Sequence, residues 1–367
     1  MDDRKQPPIA LMLLPLVALA ALLAFQYFAP PKAQTEEPAT VATEPAPVAG
    51  DAGAQIGAQE APAEPAPSRV SAAAARAREA SQQLYSLESD RITATFTDLN
   101  TALVSLKVKG ERYLDEEGNP FELVTTDKEQ YLPLAPDLTG VDVPADATWR
   151  MVDATAKKIS FEWAGDGVSV TRSYELAEPP FQFRSSIEIR NNDPHSRSVG
   201  LNITSAHYVR REAEKGGFMA RPSPSLSHGI CQQGDETIRE DREGLLSEDE
   251  LRPMQPHSFG PGVEFVSLGN VYFAIIAAPE GGTAERCDLL SSDRGGTVKE
   301  PDGSLFEAKL AYAPQEIGSG ESATFRTAVY AGPKDYDALE EFGHQATNVI
   351  DLGWFSFIAR GMSWLLR

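Results

Sequence analysis

Between Asp90 and Ala331 the apolar residues recur at every second position, and this alternation constrains the fold more than any other feature. A period of two places successive side chains on opposite faces, as in a strand with one face buried, whereas an amphipathic helix repeats every 3.6 residues. Ile92, Ala94 and Phe96 alternate with threonines, and Val104, Leu106 and Val108 alternate with polar residues. Phe181, Phe183, Ile187 and Ile189 form another such set, followed by Val199, Leu201, Ile203 and Val209. Further runs are Val263–Leu268, Val271–Ala278, Leu305–Tyr312 and Ala323–Ala331. No run between 90 and 330 has helical periodicity.

Turn chemistry supports antiparallel pairing. Ile159, Phe161 and Trp163 lead through Ala164-Gly165-Asp166-Gly167 into Val168, Val170, Tyr174 and Leu176, the pattern of a tight hairpin. Strands at this spacing without intervening helices predict a mainly β, antiparallel sandwich over 90–333. That length exceeds an immunoglobulin-size sandwich, so two large packed sheets or two fused sandwiches are expected. The polar stretch from Arg210 to Pro261 reads as a solvated surface excursion. It contains Cys231, while Cys287 follows the run ending at Ala278. The pair is a candidate disulfide if the domain lies outside the cytoplasm. The sequence leaves bridged and free states open.

Both ends differ from this middle. Ile9–Phe28 has no charged residue in twenty positions, about the length that crosses a bilayer's hydrocarbon core. Arg4 and Lys5 precede it, placing residues 1–8 in the cytoplasm and the rest outside. The run is longer than a signal-peptide core and its exit carries Pro30 and Pro31, so an uncleaved anchor is expected. Residues 29–89 follow as a tether, since Ala29–Pro67 holds eight prolines and no aromatic residue. Tyr336–Val349 reads as helical within a connecting segment, 334–352.

In the last stretch, 353–367, Ser356, Arg360, Ser363 and Arg367 fall on one helical stripe. Trp354, Phe355, Phe357, Ile358, Met362, Trp364, Leu365 and Leu366 cover the remaining surface. The segment is too short to span and too apolar for water, so an amphipathic helix at the membrane interface is expected. Its membrane-contacting residues would be Trp354, Phe355, Phe357, Ile358, Arg360, Trp364, Leu365 and Arg367.

Little in the chain suggests a reaction. A net charge of −21 opposes nucleic-acid binding, which needs a basic face. Phosphate-loop, dinucleotide, nucleophile-elbow and paired-cysteine motifs are missing, and the five histidines form no ligand pair. His207 shares the inward phase of Leu201 and Ile203 and reads as a satisfied core or groove histidine. No catalytic residue, metal ligand or cofactor is expected.

Four stretches carry a family resemblance: Phe96–Val124, Gly269–Pro279 (GNVYFAIIAAP), Tyr330–Leu339 (YAGPKDYDAL) and Ile350–Arg367 (IDLGWFSFIARGMSWLLR). With the order anchor, acidic linker, β domain, short helix and Gly-Trp helix, the chain resembles the N-terminal portion of the YidC/Oxa family of membrane protein insertases. Gly361 stands where many relatives place proline. The resemblance implies a periplasmic β-supersandwich, galactose-mutarotase-like, tethered to the bacterial inner membrane by a first transmembrane helix. It implies the lipid bilayer, nascent inner-membrane proteins and Sec translocon subunits as partners. The family's inserting five-helix core would lie beyond Arg367, so no insertion-site residue is carried over. The alternative is a membrane-tethered carbohydrate-binding or mutarotase-like domain.

Overall fold

The computed structural model describes residues 82–115, 117–126, 131–144, 147–210, 228–241, 245, 256–294 and 302–351. The chain divides into two units, Met1–Ala66 and Pro67–Arg367, and every described residue belongs to the second. The expected anchor at 9–28, the 1–8 segment before it, most of the tether and the amphipathic segment 353–367 lie outside the described residues. Among those described, no helix is long and apolar enough to cross a membrane.

The second unit is built from nineteen described strands. β1 (Leu84–Glu88), β2 (Ile92–Thr97), β3 (Leu103–Val108) and β4 (Phe121–Glu122) form a four-stranded meander. After β5 (Ala135–Thr139), a second meander runs through β6 (Arg150–Ala154), β7 (Lys158–Gly165), β8 (Val168–Leu176) and β9 (Gln182–Asn191). β10 (Arg197–Arg210), β11 (His228–Gln233), β12 (Glu236–Glu240) and β13 (His257–Phe259) follow. The chain then continues through β14 (Val263–Gly269), β15 (Phe273–Pro279), β16 (Arg286–Arg294) and β17 (Gly303–Ala311). β18 (Gln315–Ile317) and β19 (Ser322–Pro333) end the sheets, before α1 (Tyr336–Phe342) and a 3-10 turn at Ala346–Val349.

A nine-stranded sheet, ordered β12-β11-β14-β15-β19-β9-β8-β7-β6, forms the central layer. Its pairing register carries one buried row across five strands, from Phe183 through Val329, Ala277 and Val266 to Cys231. Because neighbours in register share a face, this row and its parallels make one continuous apolar surface. The four-stranded sheet covers one end of it, where the Phe96 ring stacks on Tyr174 at 3.9 Å. A six-stranded sheet, β13-β16-β17-β10-β18 with β5 also on β10, covers the other end. There Val266, Leu268, Leu289, Phe306 and Leu310 share a core. Cys231 of β11 is bonded to Cys287 of β16, joining the two sheets at a Cα–Cα distance of 6.1 Å.

The opposite face of the nine-stranded sheet is also occupied. Asp335 accepts from the N–H of Ala338 at 3.1 Å and so caps α1, and Gly343 ends the helix at φ +78°. Seven residues are too few for a stable isolated helix, so packing holds it. Ala338, Leu339 and Phe342 are buried, and the Phe342 ring lies 5.8 Å from that of Tyr330.

Several expectations shift. A strand begins at Leu84, inside the stretch assigned to the tether; Leu87 is fully buried and Tyr85 meets Phe161 edge-on. In β3 the buried residues are Leu103, Leu106 and Val108, while Val104 is only half-buried, because a bulge between Thr95 and Phe96 changes the phase. The polar excursion between 210 and 261 carries β11, β12 and β13, so Cys231 sits in a strand rather than a loop. The hairpin at 163–168 closes on Asp166 and Gly167, both at positive φ, as a type I′ turn requires.

Candidate functional site

Three of the stretches that carry the family resemblance meet around one side chain, Phe273, at the start of β15. Phe121 of β4 stacks on it with ring centres 4.5 Å apart and planes 7° apart. Tyr113 approaches it edge-on at 6.0 Å and also contacts Phe181 at 6.2 Å. Phe181 in turn packs against Tyr330 of β19, whose hydroxyl donates to the carbonyl of Pro333 at 2.5 Å. Burial raises the Tyr330 hydroxyl well above the usual tyrosine range, so it remains a donor. Gly332 is glycine because the Phe181 ring lies over it, where a Cβ would come within 2.6 Å of a ring carbon. These contacts tie β3–β4, β9, β15 and β19 into an aromatic junction at one end of the central sheet.

Two recesses flank the junction. One is a small cavity of ≈ 50 Å³ lined by Phe121, Thr125, His207, Asn270 and Phe273. Thr125 Oγ1 accepts from the N–H of Tyr208 at 2.8 Å and bonds His207 Nδ1 at 3.0 Å. Burial pulls His207 down to about 4, so the ring that shares a hydrogen bond with Thr125 Oγ1 is neutral. The other is an open cleft of ≈ 550 Å³ between the β3–β4 connection and α1. It sets Arg91 and Arg112 among Asp337 and Glu341, with Tyr113 and Phe181 in its wall.

Beyond the cleft, the outer face of the sheet collects cations. Arg239 pairs in register with Ile230, and its Nη2 donates to the carbonyls of Asn348 at 3.1 Å and Val349 at 3.4 Å. Its Nη1 is buried without a partner. Lys334 is the first residue after β19. Burial and the nearby Arg239 charge lower its ammonium to about 8, while Asp351 opposes the shift. His228 is held at about 4, first by burial and then by Lys334 and Arg239.

Of the residues singled out from sequence, Cys231 and Cys287 join two sheets away from this site. Trp354, Phe355, Phe357, Ile358, Arg360, Trp364, Leu365 and Arg367 lie outside the described residues. Arg239, Lys334 and the Phe273 junction were not singled out. Alternation marks Phe273 as apolar, but only the strand pairing brings it to Tyr113 and Phe121. Among the described residues there is no group of three or more metal-ligating side chains.

The chain is 28% identical over 306 residues to the membrane protein insertase YidC of Anaeromyxobacter sp. (strain Fw109-5), covering 79% of this chain and 52% of that protein. It is 24% identical to the membrane protein insertase YidC of Oleidesulfovibrio alaskensis, covering 98% of this chain and 62% of the relative. The chain thus spans about half to three-fifths of the length of the curated relatives it matches. A galactose mutarotase-like protein from Lactobacillus casei aligns with 68% of the chain and 100% of its own length, at a TM-score of 0.48 and 9% identity. Residues 84–365 match the family profile of the YidC periplasmic domain, and with most of its length inside that match the chain belongs to this family.

Proposed function

We propose that this chain is the membrane-anchored, periplasmic part of a membrane protein insertase and works by binding rather than by catalysis. The match of residues 84–365 to the YidC periplasmic domain carries this reading. In it the N-terminus lies in the cytoplasm, residues 9–28 anchor the chain in the bacterial inner membrane, and the sheets stand in the periplasm. Residues 353–367 return to the membrane interface. Nascent inner-membrane proteins, and Sec translocon subunits, are the partners. The ≈ 550 Å³ cleft has room for a segment of polypeptide. Its mix of arginines, carboxylates and aromatic walls suits an extended chain better than one small ligand. A saccharide would need several times the room beside His207, where the cavity holds ≈ 50 Å³.

The test is photocrosslinking in cells from Arg112 and Glu341, replaced one at a time by a photoreactive residue. Adducts with newly made inner-membrane proteins or translocon subunits are the expected result. Acceleration of galactose anomer exchange by the purified chain, abolished by His207→Ala, would overturn the binding reading in favour of sugar chemistry.

A further inference from the structure

We propose that the free edge of β1 receives an extended, proline-free apolar segment of a nascent inner-membrane protein as an added strand, with the segment's charged flank running on into the cleft. The inference deepens the function proposed above and rests on it. The partner is the same polypeptide bound for the membrane, and β1 supplies a main-chain pairing that the cleft alone does not.

The ladder between β1 and β2 fixes which backbone groups are open. The N–H of Ser89 donates to the carbonyl of Ile92 at 2.9 Å, and the N–H of Asp98 donates to the carbonyl of Gln83 at 3.1 Å. In an antiparallel pair such bonds fall on alternate residues. With Leu84 opposite Thr97 and Glu88 opposite Thr93, Tyr85 and Leu87 therefore turn their N–H and C=O groups toward β2. Leu84, Ser86 and Glu88 turn theirs outward, where no described strand pairs with β1.

The other edges of the three sheets are blunted in the ways natural sheets avoid unwanted pairing. β4 has two residues, and β13 and β18 have three each. β5 contains Pro136, which cannot donate to a ladder. β6 is interrupted by a bulge between Met151 and Asp153. β12 carries Glu236, Arg239 and Glu240, and Arg239 is tied to the carbonyls of Asn348 and Val349. β1 (LYSLE) has no proline, pairs with β2 over its whole length without a bulge, and has one charged residue, Glu88, which bonds Lys109. It is an edge left open.

A row of alternating outward donors and acceptors is matched by another extended backbone, so the edge itself sets the class of partner. Its side chains narrow that class. Leu87 is buried and Tyr85 half-buried on the inner face, while Leu84 is 56% exposed on the outer face. An added strand sends successive residues to opposite faces and meets apolar neighbours on both. A segment apolar at consecutive positions, as a membrane-spanning one is, suits this edge better than an amphipathic strand. The edge also leads to the cleft. Asp90 and Arg91 follow β1 as its turn, and Arg91 lines the cleft with Arg112 and Glu341. Lys109 braces this corner, its Nζ donating to the Ser89 carbonyl at 3.0 Å and its N–H to the Arg91 carbonyl at 2.7 Å. Charged residues flanking the apolar segment thus meet guanidinium and carboxylate groups as they leave the edge.

The test uses the whole chain in cells, with a photoreactive residue replacing Leu84, Arg112 or Val152, the last a reference on the bulged edge of β6. Leu84 and Arg112 should both give adducts with newly made inner-membrane proteins, and Val152 few. Ser86→Pro removes the outward N–H while leaving the β1–β2 bonds, and Ser86→Ala keeps that N–H; both lose the hydroxyl contact with Thr95. The proline chain should give about a tenth of the Leu84 adducts of the alanine chain. Urea midpoints and circular dichroism compare the folding of the two. Hydrogen exchange on the purified parent chain is independent of either variant. A synthetic Leu-Val-Ala peptide with lysines at both ends should slow exchange at the Ser86 and Glu88 amides by about tenfold or more. Amides left unprotected by the peptide, or equal Leu84 adducts from the proline and alanine chains, overturn the added strand. Adducts from Arg112 with none from Leu84 overturn it too and leave the functional reading standing, whereas adducts from neither overturn both. Leu84 adducts formed only with a second copy of this chain overturn the nascent-chain assignment.

Discussion

The guanidinium of Arg172 lies 4.7 Å from the centre of the Tyr174 ring, and both side chains are fully buried between the four-stranded and nine-stranded sheets. Arg172 donates to Thr101 Oγ1 at 3.2 Å and to the carbonyl of Leu134 at 2.6 Å; Tyr174 donates to the carbonyl of Thr101 at 2.5 Å. Burial pushes the Tyr174 hydroxyl up to about 12, which keeps its proton in place. Asn100, Thr101 and Leu134 all have positive φ, at 53°, 52° and 61°. Left-handed backbone at such residues costs on the order of 1 kcal/mol each and persists only where its surroundings enforce it. Arg172 and Tyr174 are that enforcement.

Arg172→Ala should therefore lower the free energy of unfolding by about 3 kcal/mol or more, since it empties a buried site and strands the Leu134 carbonyl. Arg172→Lys should recover little, because a point charge replaces neither the planar stack nor the fork of donors. Tyr174→Phe should cost only about 1 kcal/mol, one hydrogen bond. Urea unfolding followed by circular dichroism measures all three. An Arg172→Ala midpoint equal to the parent's would mean that the turns hold without the clamp.

The disulfide offers a separate stability test. Cys231 and Cys287 are 56 residues apart and close a loop across two sheets. Cross-linking a loop of that length removes denatured-state entropy equivalent to about 4 kcal/mol at room temperature. Unfolding in the presence of dithiothreitol should give a correspondingly lower urea midpoint. The reduced protein should lose hydrogen-exchange protection first in β11–β13 and β16, while β7–β9 keep theirs. Equal midpoints with and without reductant would remove the bridge from the account.

How legible this molecule is in its sequence depends on whether neighbours along the chain are also neighbours in space. The meander β7–β9 was readable because each strand pairs with the next through a short turn, and Val168, Val170 and Tyr174 announce the buried face directly. Arg172 occupies the same phase and was passed over, since nothing local shows that Thr101 and Leu134 wait for its donors. β12 (ETIRE) and β16 (RCDLLSSDR) have too few apolar residues to show alternation, and their identity as strands comes from partners far along the chain. The candidate site follows the same rule. Gly269–Pro279 and Tyr330–Leu339 stood out separately as stretches, but the Tyr272–Lys334 bond that joins them is a tertiary fact.

Acid sensitivity should centre on His228. It is 9% exposed, and burial together with Lys334 and Arg239 holds it at about 4, against 6.5 for an unperturbed histidine. The unfolded chain therefore binds a proton through this range that the folded chain refuses, so stability falls as pH drops from about 6.5 toward about 4. Between pH 7 and pH 5 the loss should be about 2 kcal/mol for this residue. His207 acts with the same sign. Lys334, lowered to about 8, refuses a proton on the alkaline side, so its contribution rises as pH climbs from about 8 to about 10. Urea midpoints across this range check the signs. His228→Gln should flatten the slope between pH 7 and pH 5 while leaving the alkaline limb intact; an unchanged acid slope would assign the sensitivity elsewhere.

Gly332 tests whether the aromatic junction is a rigid brace. The position sits in β19 opposite Ala274, and a Cβ there would lie 2.6 to 2.8 Å from three atoms of the Phe181 side chain. Phe181 cannot retreat freely, because its ring meets both Tyr113 and Tyr330 and its carbonyl accepts from the N–H of Ala331 at 2.8 Å. Overpacking of this kind costs about 1–3 kcal/mol. Gly332→Ala should therefore lower the urea midpoint, and Phe181→Leu should restore part of the loss, so the double variant costs less than the two single changes added together. The cleft wall contains Tyr113 and Phe181, so the same variant should weaken photocrosslinking from Arg112 more than from a site on β6. Simple additivity of the two substitutions would show that the ring and the glycine are not in compulsory contact, and that the wall of the cleft can deform around what it binds.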